Sequence, residues 1–296
     1  MGCSTRLFTV LWITGASMML LTTAADALQQ VSSGTGFIVN DEGYALTNAH
    51  VVTMEGQDGQ KQVCNGFEAR LGPWRGNATF VDADPVTDLA LIRIDGLPGA
   101  TASSGARTAD SSGFAAAPET NVADLLADRT PSPISSDRQA AAAPAQGEVG
   151  SGKIAVARFA AAPPAVGQAV AAFGFPLGSA LGSQLKVAAG NISSTAGIAN
   201  DTSHLLHTAP IHGGNSGGPL IDSSGSVVGV NVGVLPANPD KKISQAINIA
   251  IRGDMAQRFL DNLSVAYGTT ARGAEQSFEV LAVEAKAYTV QIFCLM

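Results

Sequence analysis

The chain has 296 residues, of which 46% are hydrophobic and 14% charged, with 33 glycines and a formal net charge of −7. This length and hydrophobic content are enough for a β-type unit of two barrels. The mild negative charge excludes the basic footprint of a nucleic-acid-binding protein. Short apolar runs separated by turn residues favour an all-β fold.

Residues 1–27 predict a secretory signal peptide. Arg6 precedes an apolar run, and Ala25-Asp26-Ala27 supplies a small-residue cleavage pattern. Polar and glycine residues interrupt the apolar run, which makes it a poor membrane span, although an uncleaved anchor is the alternative. We therefore expect export to the periplasm or the extracellular space, with no integral membrane span after cleavage.

Two segments after the signal place a histidine and a carboxylate beside apolar strands. An apolar run and the turn Asn40–Gly43 precede residues 45–52, a hairpin pattern that puts His50 at the end of its second strand. Asp84 and Asp88 both precede the apolar run at 89–94. We prefer Asp88 as the functional carboxylate because it directly precedes that run, and Asp84 remains its competitor.

Residues 99–152 interrupt the strand pattern. They are rich in Ala, Ser, Pro, Gly and Asp and poor in large apolar residues, which predicts a disordered insertion. A regulatory or partner-binding loop is the alternative. Gly147–Lys153 is similar to a phosphate-binding loop, but Ile154 stands where Ser or Thr is needed and no strand precedes it. We therefore expect no nucleotide cofactor.

The segment Gly213–Pro219 places one hydroxyl, that of Ser216, in a glycine-rich loop. Such a loop lets backbone N–H groups and a ligand approach a serine nucleophile. Its G-x-S-x-G pattern also occurs in α/β-hydrolases, where a histidine must follow the serine. The last histidine here is His212, which excludes that fold. Asp41 would suit a subtilisin order, but it lies in the predicted hairpin turn.

Three blocks, GTGFIVNDEGYALTNAHVV, DPVTDLALIRID and GNSGGPLIDSSGSVVGVNV, resemble the catalytic blocks of trypsin-fold serine proteases, most closely the bacterial Deg/HtrA-type branch. The resemblance covers about residues 32–98 and 154–262. It implies two six-stranded antiparallel β-barrels with the active site between them. We assign residues 28–98 to an N-terminal barrel and 153–264 to a C-terminal barrel, which ends in a helix expected at Arg252–Leu263.

The resemblance also implies the roles of the residues. Ser216 is the expected nucleophile, His50 the general base and Asp88 the group that orients His50. The N–H groups of Gly214 and Ser216 are the expected oxyanion hole. The implied activity is that of an exported serine endopeptidase that cleaves polypeptides through an acyl-enzyme. Asn215 stands where zymogens of this fold carry an aspartate, so we expect no activation by a new N-terminus.

The expected substrate-binding residues are less distinctive. In this fold, the segment before the serine block and a later strand line the specificity pocket, which here corresponds to Thr208, Ala209, Pro210 and Ile249. None of them carries an acid, so we expect a neutral pocket for small or medium aliphatic side chains. The family often has an aspartate where Thr208 or Ala209 stands.

The tail at residues 265–296 is too short for the PDZ domain that usually follows in the Deg/HtrA branch. Gln276–Val283 and Tyr288–Cys294 are candidates to add strands or to dock on the barrels. Cys64 and Cys294 are the two cysteines left after signal removal, which suggests one disulfide between the tail and the loop after the histidine block. The oligomeric state stays open.

Three further histidines raise the question of a metal site, and the protease fold allows hypotheses other than a constitutive enzyme. His204, His207 and His212 lack acidic or cysteine companions in the same run, so we expect no metal site. The chain is alternatively an inactive binding or chaperone-like protein on a protease scaffold, or a latent protease assembled when a ligand binds.

Overall fold

The computed structural model describes residues 29–56, 60–101, 154–177, 181–235 and 247–296. The expected signal peptide, nearly all of the 99–152 insertion and the glycine-rich Gly147–Lys153 segment lie outside these ranges. Within them the chain is mainly antiparallel strands arranged in two closed barrels.

The first barrel contains six antiparallel strands in the order β1-β16-β5-β6-β7-β2. Their bounds are β1 Gln30–Ile38, β2 Tyr44–Asn48, β5 Gly66–Leu71, β6 Trp74–Asp84, β7 Leu89–Ile94 and β16 Thr289–Leu295. A two-stranded hairpin, β3 (Thr53–Glu55) and β4 (Lys61–Val63), lies beside the barrel. Wholly buried aliphatic and aromatic side chains fill the interior, among them Phe37, Leu46, Leu91 and Ile292.

The sixth strand of this barrel comes from the C-terminal tail. β16 pairs with β1 on one side, with Gln291 opposite Thr35, and with β5 on the other, with Phe293 opposite Glu68. Residues 28–98 alone would leave the edges of β1 and β5 unpaired. The expected N-terminal barrel, drawn to end at residue 98, therefore omits a strand that closes it.

Between the short strand Gly268–Thr270 and β16, the tail contains a helix. Helix α3 spans Phe278–Ala285, and the Ser277 hydroxyl caps its start by accepting the Val280 N–H. The expectation of an added strand is thus met by Tyr288–Cys294, whereas Gln276–Val283 forms a helix with Leu281 and Ala285 buried.

The predicted disulfide between Cys64 and Cys294 is confirmed. The two Cα atoms lie 5.6 Å apart, across 230 residues of sequence. Cys294 lies in β16 and Cys64 directly follows β4. The disulfide therefore joins the closing strand β16 covalently to the segment between β4 and β5, which follows His50 in the chain.

The second barrel is also closed and six-stranded, in the order β12-β9-β10-β11-β14-β13, with β13 returning to pair with β12. Its strands are β9 Ala169–Gly174, β10 Lys186–Ser194, β11 His204–His207, β12 Pro219–Asp222, β13 Val227–Leu235 and β14 Ile247–Arg252. β8 (Arg158–Ala160) pairs in parallel with both β13 and β15 (Gly268–Thr270). The predicted pair of six-stranded antiparallel barrels is confirmed.

Three helices lie among the described residues: α1 Ala49–Val52, α2 Gly253–Asn262 and α3. Helix α2 confirms the helix predicted at Arg252–Leu263. A 3₁₀ turn spans Ile198–Asn200. In the part of the chain that the structure describes, none of the helices has the length and apolarity needed to cross a membrane.

The two barrels pack against each other through strand β1. The Thr35 N–H donates to the Ser216 carbonyl (2.9 Å), and the Ala157 N–H donates to the Ile38 carbonyl (2.8 Å). The rings of Phe37 and Phe159 meet edge to face with their centroids 5.9 Å apart. These contacts bring the end of β2 and the loop before β12 to the same side of the junction.

Candidate active site

His50 and Asp88 meet because β2 pairs with β7. Asn48 at the end of β2 lies opposite Leu89 at the start of β7, so the residues just beyond these strand ends are neighbours. The His50 Nδ1 lies 2.7 Å from Asp88 Oδ2, and Asp88 Oδ1 accepts the His50 backbone N–H at 3.0 Å. One carboxylate thus orients both the ring and the backbone of His50.

The backbone of Asp88 is held in an uncommon conformation. Its φ is +56°, in the left-handed region that Asp and Asn tolerate better than most residues. Its carbonyl accepts both the Ala49 N–H (3.0 Å) and the Asn48 Nδ2 (2.8 Å). The two residues before His50 therefore hold the backbone of Asp88 in place and with it the direction of its carboxylate. Uncommon backbone conformations of this kind cluster at functional sites.

The competing carboxylate of Asp84 is engaged elsewhere. It accepts the Val86 N–H at 2.9 Å and the Thr87 hydroxyl at 2.7 Å, which is the pattern of a turn former. The geometry therefore brings Asp88, and not Asp84, to His50.

The Ser216 hydroxyl lies in the loop before β12 and donates to the Val232 carbonyl at 2.9 Å. Val232 is the extra residue of a bulge, because Asn231 and Gly233 have successive partners across β14. A bulge takes a carbonyl out of the ladder, which frees this one to face Ser216. No hydrogen bond joins Ser216 to His50 in the described ranges.

The loop around Ser216 fits only because it contains glycine. Gly217 has φ +82°, and a Cβ there would collide with the Thr35 carbonyl oxygen and the Thr47 hydroxyl. Its N–H donates to the Asn231 carbonyl at 2.8 Å. These contacts hold Ser216 against both the first barrel and strand β13.

Two backbone donors beside the Ser216 hydroxyl are free. Among the described residues, neither the Gly214 N–H nor the Ser216 N–H makes a hydrogen bond, whereas the intervening Asn215 N–H donates to the His212 carbonyl. The Gly213 carbonyl accepts the Leu177 N–H at 2.9 Å. Because a trans peptide points its C=O and N–H in opposite directions, this bond turns the Gly214 N–H away from Leu177. Two such donors are what an oxyanion hole requires.

The expected pocket residues have mixed environments. The Thr208 hydroxyl accepts the Asn191 N–H of β10 at 2.9 Å, and Ala209 is wholly buried in the second barrel. Pro210 is exposed, and Ile249 is half-buried opposite Gly233 of β13. Thr208 is thus bonded to β10 and Ala209 packs inside the barrel, and their part in substrate binding stays a prediction.

The three histidines of the serine half have different surroundings. His204 Nδ1 lies 2.6 Å from Asp201 Oδ2, His207 is buried and His212 is exposed. Burial of Asp201 raises the pKa of its carboxyl, but hydrogen bonds from Ser203 and His204 outweigh this and hold it below its ordinary value. No three potential metal-binding side chains converge in the ranges that the structure describes.

Burial lowers the pKa of His207 to about 4, and the nearby Ala209 backbone opposes this shift slightly. Neither ring nitrogen makes a hydrogen bond of good geometry within the described chain. His207 is therefore a neutral core residue of the second barrel rather than part of the site.

Sequence reasoning missed two residues that contact the serine loop, Thr35 and Val232. Thr35 is wholly buried in β1 and bonds to the loop through both its backbone and its hydroxyl. The only local signal is a polar residue flanked by Gly34 and Gly36 at the start of an apolar run. Val232 contributes its backbone carbonyl because it lies in a bulge. Its apolar side chain gives no indication in the sequence that a bulge occurs there.

A family model described as a trypsin-like peptidase domain matches residues 34–129 and 119–230, which together cover 34–230 of the 296 residues. The match includes His50, Asp88 and Ser216. The chain belongs to the trypsin-like peptidase family. The resemblance expected from the three sequence blocks is thereby confirmed.

The relatives of this trypsin-like peptidase include proteins named for the HtrA and Deg branch. It is 30% identical over 238 residues to mouse serine protease HTRA4, covering 78% of this chain and 34% of that protein. It is 27% identical over 252 residues to a probable periplasmic serine endoprotease DegP-like of Chlamydia trachomatis, covering 81% and 35%. An uncharacterized protein y4bJ of Sinorhizobium fredii is 29% identical over 270 residues, covering 89% and 32%.

The chain spans about a third of the length of the curated relatives it matches. Among solved structures, the serine endoprotease of Yersinia pestis aligns with a TM-score of 0.43 and 24% identity, over 78% of this chain and 57% of that one.

Proposed function

We propose that the chain is a serine endopeptidase that cleaves polypeptides through an acyl-enzyme. The observation that carries the proposal is the bidentate Asp88–His50 contact beside a serine loop with two free N–H groups. Family membership supports the same conclusion.

Asp88 defines the protonation of His50. Its Oδ2 accepts a hydrogen bond from the Nδ1–H, which leaves Nε2 as the unprotonated nitrogen available to act as a base. The carboxylate also stabilises the imidazolium that forms when Nε2 takes the serine proton. It remains ionised throughout.

Ser216 attacks the scissile carbonyl carbon once its hydroxyl leaves Val232 and turns to His50, a rotation about one side-chain bond. The serine proton passes to His50 Nε2 as the C–O bond forms and the carbonyl π electrons move to oxygen. The N–H groups of Gly214 and Ser216 stabilise that oxyanion. Collapse expels the amine, which takes the proton from His50, and water then hydrolyses the acyl-enzyme by the same sequence.

The substrate backbone can bind along an edge of strand β13 that has no partner strand among the described residues. Residues 233–235 pair with β14 on one edge, for example Gly233 with Ile249 and Val234 with Asn248. No described strand pairs with their other edge, since β12 and β8 pair with β13 only at residues 227–230. A peptide that adds as a strand to this edge lies directly beside Ser216.

Export is part of the proposal. Residues 1–27 predict a signal peptide, the Cys64–Cys294 disulfide suits an oxidising compartment, and one relative's name places it in the periplasm. We therefore place the mature chain in the periplasm or the extracellular space.

The Ser216–Val232 hydrogen bond favours a second candidate, a latent protease whose site is completed when a ligand binds. Catalytic hydrogen bonds are often long or absent before substrate binds, so a resting enzyme has the same appearance. Cleavage that begins without delay on peptide alone supports the constitutive enzyme. A requirement for a second peptide or partner supports the latent form.

The test is cleavage of an unfolded protein and of a peptide library by the wild-type chain and by Ser216→Ala. We expect cleavage by the wild type, preferentially after small or medium aliphatic residues, and none by Ser216→Ala. Ser203→Ala is the matched control, because Ser203 also lies beside an Asp–His pair, Asp201 and His204, in an exposed turn. It should cleave like the wild type. Equal cleavage by Ser216→Ala would refute the proposal.

A further inference from the structure

Thr35 makes two hydrogen bonds to the serine loop and a third to Phe175, in the segment that follows β9. It is wholly buried in β1, opposite Gln291 of β16. Its N–H donates to the Ser216 carbonyl at 2.9 Å. Its hydroxyl donates to the Gly214 carbonyl at 2.6 Å and accepts the Phe175 N–H at 3.0 Å. The last two contacts use the side chain, and a residue without a hydroxyl cannot make them.

The hydroxyl acts on the peptide between Gly214 and Asn215, together with the bond from the Asn215 N–H to the His212 carbonyl at 3.0 Å. Gly214 has φ +97° and no side chain, so little besides its hydrogen bonds resists rotation of the two flanking peptides. The Leu177 N–H donates to the carbonyl of Gly213, the residue before Gly214, and the Thr35 hydroxyl donates to the carbonyl of Gly214 itself. Both sides of Gly214 are therefore clamped.

The same hydroxyl connects the two segments whose hydrogen bonds hold the peptides on either side of Gly214. Phe175, whose N–H it accepts, lies two residues before Leu177, whose N–H holds Gly213. Thr35 Oγ1 thus lies between the segment that follows β9 and the loop that carries Ser216. Loss of the hydroxyl leaves a Phe175 N–H and a Gly214 carbonyl unpaired in a closed space.

The side chain of Thr35 occupies a narrow space beside Gly174 and Gly218. A Cβ added at Gly174 would be 3.0 Å from Thr35 Oγ1, and one added at Gly218 would be 3.0 Å from its Cγ2. Two glycines therefore leave a slot that fits a branched side chain. Valine has the branched shape of threonine without the hydroxyl, so Thr35→Val removes both side-chain hydrogen bonds and leaves their partners unpaired.

We infer that Thr35 is a positioning residue for the oxyanion hole: its hydroxyl holds the Gly214 carbonyl and thereby keeps the Gly214 N–H directed at the reacting carbonyl oxygen. The inference rests on the proposed function. Thr35 touches neither the substrate nor His50 in this account. It acts through the orientation of Gly214.

The experiment compares Thr35→Val, which removes the hydroxyl, with Thr35→Ser, which keeps it. For each variant kcat and KM are measured on a peptide that the wild type cleaves, with the inhibition constant of a peptide boronic acid whose adduct occupies the oxyanion hole. We expect Thr35→Val to lower kcat roughly 10- to 100-fold, less than the ~10²–10³-fold cost of deleting an oxyanion donor. KM should stay within about twofold, and boronate binding should weaken together with kcat, because both need the hole.

Thr35→Ser should restore kcat to within about threefold of the wild type, which a purely steric role of the side chain would not produce. Urea unfolding verifies the fold of each variant, and Thr35→Ala replaces Thr35→Val if the latter does not fold. A wild-type kcat in the folded variant that lacks the hydroxyl, or equal losses in Ser and Val, would overturn the inference. Unchanged boronate affinity beside a lowered kcat would do the same. An inactive wild type would instead sink the proposed function itself.

Discussion

Asp88 binds His50 at two points, the ring Nδ1 at 2.7 Å and the backbone N–H at 3.0 Å. The first contact selects the tautomer and the second fixes the peptide from which the ring projects. The aspartate backbone is in turn held by Ala49 and Asn48, which precede the histidine. His50, the proposed base, and Asp88 thus form one closed unit at the ends of β2 and β7.

Asp88→Asn should lower kcat by roughly 10³- to 10⁴-fold, because an amide in place of the carboxylate favours the wrong histidine tautomer. Asparagine tolerates the φ of +56° at this position, so the fold should survive. Asp84→Asn is the control, since Asp84 forms a turn and does not reach His50. Steady-state kinetics on one peptide measures both. Equal losses in the two variants would remove Asp88 from its assigned role.

His207 should make the folded chain sensitive to acid. Burial lowers its pKa to about 4, below the ordinary value of 6.5, so between these pH values the unfolded chain binds a proton that the folded chain lacks. The free energy of unfolding therefore falls as the pH decreases through this window, by on the order of 3 kcal/mol from this residue. Urea midpoints at pH 7.5 and 4.5 should differ less in His207→Leu than in the wild type. An identical pH dependence in both would refute this.

The Cys64–Cys294 disulfide should stabilise the first barrel through its closing strand. Replacing both cysteines by serine should lower the free energy of unfolding by roughly 2–5 kcal/mol, because the unfolded chain regains the freedom of a 230-residue separation. The fluorescence of Trp74, in β6 of that barrel, reports the transition in urea. A reductant should have the same effect on the wild type and none on the double variant. An unchanged midpoint would show that β16 needs no covalent tie.

Gly174→Ala should impair catalysis by pushing on two residues of the site. The added Cβ would collide with Asn215 Oδ1 and lie 3.0 Å from Thr35 Oγ1. We expect kcat to fall about tenfold or more, and the free energy of unfolding to fall by about 1–3 kcal/mol from overpacking. Gly273→Ala is the control, because the nearest side chain to its Cβ would be 4.0 Å away. Full activity in Gly174→Ala would contradict the described packing.

The fold class could be predicted, and the site residues could be proposed, because their signals are local. His50 follows a hairpin pattern, Asp88 precedes an apolar strand, and Ser216 lies in a glycine-rich loop, so each motif is contained in a few residues. The sequence favoured Asp88 over Asp84 because Asp88 directly precedes the apolar run. In the structure, the register of β2 against β7 brings Asp88 to His50.

Other features could not be read from short segments. β16 pairs with β1 and β5 across more than 200 residues, and the sequence suggested a strand at Tyr288–Cys294 without indicating its partners. The Val232 carbonyl reaches Ser216 because of a bulge, which depends on strand register rather than on residue type. Thr35 joins the loop only because the two barrels pack at that point.

The central claim is that Ser216 is a nucleophile activated by His50 and Asp88. Its most direct test is incubation of the folded chain with a fluorophosphonate, followed by mass spectrometry of the labelled peptide. We predict one covalent adduct, on Ser216, that is absent in Ser216→Ala and forms far more slowly in His50→Ala. No adduct on the folded wild type, or an adduct on another serine, would contradict the account.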